Sequence, residues 1–130
     1  MEETVLRVLS SVDKVNALLL TVANAGLFTK DVTGTRKRLI VLIKSQAPSL
    51  MAEARASLKA LDKEVGKKAS TARVKIRSAL ATLLPAASKA FDGYATGKVD
   101  RPQLVALSKK MTQATHVVRK LLEKEDGVSK

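Results

Sequence analysis

Acid–base or metal chemistry needs histidines, thiolates or carboxylates that can converge. This chain has one histidine, His116, and no cysteine. His116 falls on the face of its expected helix opposite Met111, Ala114 and Val118, which predicts a solvated ring. With no thiolate and no carboxylate pair aimed into the core, neither a disulfide nor a zinc or di-iron site is expected. Thr96-Gly97-Lys98 lacks the rest of a phosphate-binding loop, because no glycine stands five residues before Gly97 and no strand precedes it. Asp92 and Asp100 flank a turn, where helix capping accounts for them. No catalytic residue, metal or cofactor is expected, and the chain reads as non-enzymatic.

The chemistry that remains is charge. The chain has 24 basic and 12 acidic residues, a net charge of +12, and a pI of about 10.2. Between residues 65 and 122 there are 12 basic side chains and only two acids, Asp92 and Asp100. Charge this one-sided destabilises the compact state by self-repulsion, so it points to a polyanionic partner. The residues expected to meet that partner are Lys67, Lys68, Arg73, Lys75, Arg77, Lys109, Lys110, Arg119 and Lys120. An acidic segment of another protein ranks first among partners, with the chain acting as an adaptor. Backbone-directed nucleic-acid binding is the alternative, although aromatics make up only 2% of the chain and supply no base-stacking platform. An anionic membrane surface is the third, with Arg36-Lys37-Arg38 beside an apolar run as its anchor.

The elements that carry these charges are helices. Residues 35–96 read as one long hairpin folded at Gly66. Its first arm places Leu39, Ile43, Ala47, Leu50, Ala54, Leu58, Leu61 and Val65 at steps of three and four. Its second arm does the same with Ala69, Ala72, Ile76, Leu80, Leu83, Ala87, Ala90 and Tyr94. Pro48 and Pro85 interrupt neither pattern, which predicts kinks inside continuous helices rather than breaks. They stand 18 and 19 residues from Gly66, at nearly the same height, roughly 27 Å from the turn. Breaks at both prolines would instead give five or six helices.

A helix over 4–25 precedes the hairpin, with Val5, Val8, Val12, Val15, Leu19 and Val22 in a heptad pattern widened by Leu9 and Leu18. Gly26 suits its end, and Asp31 or Thr33 suits the cap of the next helix. The last helix, over 101–124, opens with Asp100 as N-cap and Pro102 in the first turn. Its core positions are Leu104, Leu107, Met111, Ala114, Val118 and Leu121, and a polar tail frays from Glu123. Helices at about 4–25, 35–65, 69–96 and 101–124 predict a single all-α domain over 1–130. Its expected form is an antiparallel, up-down-up-down four-helix bundle. Five consecutive apolar residues, Leu39 to Ile43, predict a second helix enclosed on most sides. An acidic start at Met1-Glu2-Glu3, unlike a signal peptide, and the lack of a sufficiently long apolar run predict a soluble, intracellular protein.

Alternating helix directions bring the end of the first helix, the start of the second, the end of the third and the start of the fourth to one pole. That pole collects Phe28, Phe91 and Tyr94 with Arg36, Lys37, Arg38, Lys98 and Arg101. Either the rings plug the end of the core, or Phe28 and the basic residues form a docking pole.

Overall fold

A computed structural model describes residues 3–25, 32–63 and 71–127, with side chains over 33–63 and 71–124 in the later segments. Four helices make up the described chain: α1 (Glu3–Ala25), α2 (Val32–Lys63), α3 (Thr71–Ala95) and α4 (Arg101–Gly127). No strand occurs among the described residues. Pro48 lies inside α2 and Pro85 inside α3, so neither proline ends a helix. Each removes one backbone donor, leaving the carbonyls of Lys44 and Ala81 without their usual helical N–H. Packing of the flanking turns outweighs that loss, as the unbroken apolar phase predicts.

The helices pack into one core. α1 touches all three others, while α2 and α4 do not contact each other among the described residues. The six heptad valines and leucine of α1 are all buried, together with Leu9 and Leu18, because their stripe faces three neighbours at once. Ile76, Leu80, Leu104, Met111 and Val118 meet that stripe from α3 and α4. Cross-helix contacts fix which turns face each other. Ser11 and Ser57 share a hydrogen bond of 3.0 Å, and Lys14 pairs with Glu53 at 2.9 Å, tying α1 to α2. Asn16 donates to Thr112 at 2.9 Å and accepts from Ser108 at 2.6 Å, tying α1 to α4.

Several boundaries differ from expectation. α2 begins at Val32, three residues early, since its first turn tolerates Gly34. α4 continues to Gly127, so the expected fraying from Glu123 does not occur. The expected folding point at Gly66, with Val65 and Ala69, lies outside the described residues, as do Gly26 and Asp31. Val41 is 66% exposed, so the Leu39–Ile43 run is enclosed except on that side. Met51, Leu84, Phe91 and Leu122 are buried although the stripes drawn from the sequence omit them. No helix among the described residues is long and apolar enough to cross a membrane.

The α3–α4 connection is built around two glycines. Gly97 adopts a φ of 81°, the left-handed conformation that costs glycine least. Around it Lys98 N–H donates to Gly93 O at 2.7 Å and Gly97 N–H to Tyr94 O at 3.3 Å, a Schellman closure of α3. Gly93 lets Val99 pack onto the helix: a Cβ there would lie within 3.1 Å of Val99 Cβ and closer still to Cγ2. Gly→Ala within a helix ordinarily stabilises by about 0.5–1 kcal/mol. Gly93→Ala is instead expected to destabilise by about 1 kcal/mol net, because the added methyl overpacks against Val99. Urea denaturation of Gly93→Ala, with and without Val99→Ala, checks this; a stabilised single variant would refute the close-packing account.

Candidate functional site

Residues 65–122 were expected to present a continuous positive wall, and the folded chain divides the part of it that is described. Arg73 is buried, at 6% exposure, and is not part of any outer face. It shares a helical stripe with Leu80, Leu84 and Phe91, all buried, of which the 3–4 pattern of the sequence included only Leu80. Arg77 pairs with Asp62 of α2 at 2.6 Å, and Arg119 donates to the carboxylate of Asp13 in α1. Acids from neighbouring helices therefore compensate two of the arginines. Lys75, Lys109, Lys110 and Lys120 are exposed and have no ion pair among the described residues. Lys67 and Lys68 lie outside those residues.

The four free lysines do not share one strip. Lys109 lies beside Leu20, Val105 and His116 on the α1–α4 side. Lys75 and Lys110 flank a groove of about 320 Å³ between α3 and α4. Ala79, Ala114, Val117 and Val118 give that groove an apolar lining, and Val117 stays 38% exposed. Two unpaired cations over an apolar trough can hold a helix or extended segment that offers acids beside apolar side chains. Sequence alone identified both lysines; the groove between them needed the packing of α3 on α4.

At the pole, the expected gathering of Arg36, Tyr94 and Arg101 is present, but its arginines are engaged internally. Arg36 pairs with Asp100 at 3.0 Å, donates to Tyr94 O at 3.0 Å, and lies 4.5 Å from the centroid of the Tyr94 ring. Burial raises the Tyr94 phenol pKa above its usual value, with Arg36 opposing and Asp100 reinforcing the shift. Arg101 Nε donates to Ala23 O at 2.9 Å, placing a cation on the terminal carbonyls of α1. Arg38 donates to Thr35 at 3.1 Å. Asp100 precedes α4 as expected, and its N–H donates to Gln103 Oε1 at 3.0 Å, one half of a capping box. Its carboxylate is held by Arg36. Phe91 and Tyr94 are buried and close the core. Among the described residues of this pole, Lys37 and Lys98 are exposed and their side chains make no hydrogen bond or ion pair, and Phe28 lies outside those residues.

His116 is exposed. No group of three or more His, Cys, Asp or Glu side chains among the described residues could hold a metal ion. The uncharged polar residues buried among the described residues that the sequence reading missed are Ser11, Thr35, Ser108 and Thr115, each hydrogen-bonded. Their position within apolar stripes was the available signal. In comparisons with known proteins, no family model, curated sequence or solved structure matches this chain.

Proposed function

We propose that this chain is a non-enzymatic adaptor that docks an acidic protein segment on the α3–α4 face of an antiparallel, up-down-up-down bundle. In this reading α2 and α3 bend at Pro48 and Pro85. The observation that carries the proposal is the pair Lys75 and Lys110, unpaired and exposed on either side of an apolar groove. Lys side chains merely solubilising a helix would be interspersed with acids; here Asp13 of α1 and Asp62 of α2 are taken by Arg119 and Arg77. Lys109 and Lys120 add to the attraction at longer range, steering an acidic segment toward the groove. A groove lined by alanine and valine favours a partner with small or branched apolar side chains between its acids.

The test uses a fluorescent amphipathic peptide built from Glu and Leu, a duplex DNA and phosphatidylserine vesicles, each at two salt concentrations. The double variant Lys75→Glu, Lys110→Glu is expected to weaken peptide binding at least about ten-fold, while helicity by circular dichroism is unchanged. Equal affinity of parent and variant at low salt refutes the groove as the docking site. Tighter binding of DNA or of vesicles than of the peptide replaces the adaptor reading with the nucleic-acid or membrane one.

A further inference from the structure

A second cavity, on the other side of α3, has a different character. It lies between α2 and α3 around Pro48 and encloses about 410 Å³, within the range of small-molecule sites. Its floor is made of Ile43, Ala47, Met51 and Phe91, each at most 6% exposed, so it reaches the core. Lys44, Pro48, Met51 and Arg55 line one wall at steps of four, three and four, a single stripe of α2 roughly 16 Å long. The contacts of Arg36 with Tyr94 and of Asp62 with Arg77 set the two helices against each other. Lys44 therefore stands at the Asp92 end of the cavity, and Arg55 at the other.

The two ends are not equivalent. At the first, the Asp92 carboxylate lines the cavity together with Lys44 and opposes an incoming anion, although the two side chains form no ion pair. At the second, Arg55 is exposed and has no ion pair among the described residues. Between them the lining is apolar, apart from Ser88 on the rim. Met51 and Phe91 are side chains that adapt to, and stack against, a flexible hydrocarbon. A guanidinium presents paired N–H donors that match a carboxylate, while at the opposite end the Asp92 carboxylate disfavours a second anion.

We propose that this cavity binds an amphipathic monocarboxylate of the fatty-acid type, its carboxylate on Arg55 and its chain laid over Met51, Phe91 and Pro48 toward the Lys44–Asp92 end. The site is separate from the α3–α4 groove and does not depend on it. Burial of the chain supplies affinity, and the guanidinium sets its direction.

The test titrates dodecanoate, and dodecanol as its uncharged counterpart, into the isotopically labelled protein below micellar concentrations, following backbone amide shifts. Saturable binding is expected, with the largest shifts at Met51, Ser88 and Phe91. Arg55→Ala and Arg55→Gln should weaken dodecanoate at least about ten-fold, and dodecanol should bind the parent more weakly by a similar factor. Lys44→Ala should change affinity less than about three-fold, since the ligand carboxylate lies at the other end and Asp92 disfavours an anion beside Lys44. The Lys75→Glu, Lys110→Glu protein should bind dodecanoate as the parent does, which separates this site from the adaptor face. Absence of saturable binding, shifts centred on another groove, equal binding of the alcohol, or indifference to both Arg55 variants would each overturn the proposal.

Discussion

Phe91→Ala is expected to lower the stability of the bundle by about 3–5 kcal/mol, the largest loss of any single truncation considered. Phe91 is 2% exposed and heads the fully buried side chains by volume. In a core whose other members, Tyr94 apart, are Leu, Val, Ile, Met and Ala, no neighbour has spare volume to replace a ring. Flanking residues sit on helices anchored along their whole length, so collapse into the gap is limited. The ring also separates the core from the α2–α3 cavity, and its removal joins the two spaces. Phe91→Leu keeps most of the volume and should cost less than half as much. Val117→Ala, on the exposed α3–α4 rim, should stay within about 0.5 kcal/mol of the parent. Equilibrium urea denaturation of the three variants measures the series. A Phe91→Ala protein as stable as the Val117→Ala protein would show that the ring does not seal the core.

Arg36→Ala is expected to cost about 2–3 kcal/mol although the residue is charged and partly accessible. Its ion pair with Asp100 contributes little, because the Asp100 side chain is 68% exposed and solvent screens the attraction. The larger share comes from the hydrogen bond to Tyr94 O and from the guanidinium over the Tyr94 ring. Arg36 thus joins the first turns of α2 to the end of α3 and the start of α4. Lysine cannot reproduce this, since one ammonium cannot reach the carbonyl and the carboxylate while covering the ring. Arg36→Lys should recover less than half of the loss, and Asp100→Asn should cost less than about 1 kcal/mol. A double-mutant cycle between positions 36 and 100 gives the coupling directly. Full rescue by lysine would mean that charge alone, and not the fork geometry, holds this pole together.

The engagement of Arg36, Arg38 and Arg101 also changes how the pole reads. As a chain of residues it looked equally suited to plugging the core and to docking a partner. Folded, its arginines satisfy carbonyls, a hydroxyl, a carboxylate and a ring of the same molecule. The α3–α4 groove, where lysines rather than arginines are free, is therefore the face we propose for docking.

The number of helices and most of their inner faces were legible because helical periodicity is a local property. Val5 to Val22 repeat every three or four residues, and a stripe so spaced must be buried wherever it finds neighbours. The same reasoning carried α2 through Pro48 and α3 through Pro85: an apolar phase kept across a proline marks one face of one helix. Local sequence also located the start of α4 at Asp100. Which cations are free to meet a partner was not local. Asp13 and Arg119 are 106 residues apart, Arg36 and Asp100 are 64 apart, and Arg73 is buried on the α3 stripe of Leu80, Leu84 and Phe91. An arginine has the same charge whether it is paired, buried or exposed, so composition cannot distinguish these states. Only the packing of α1 and α2 against α3 and α4 assigns each guanidinium its carboxylate, carbonyl or ring, and leaves Lys75 and Lys110 facing an apolar groove.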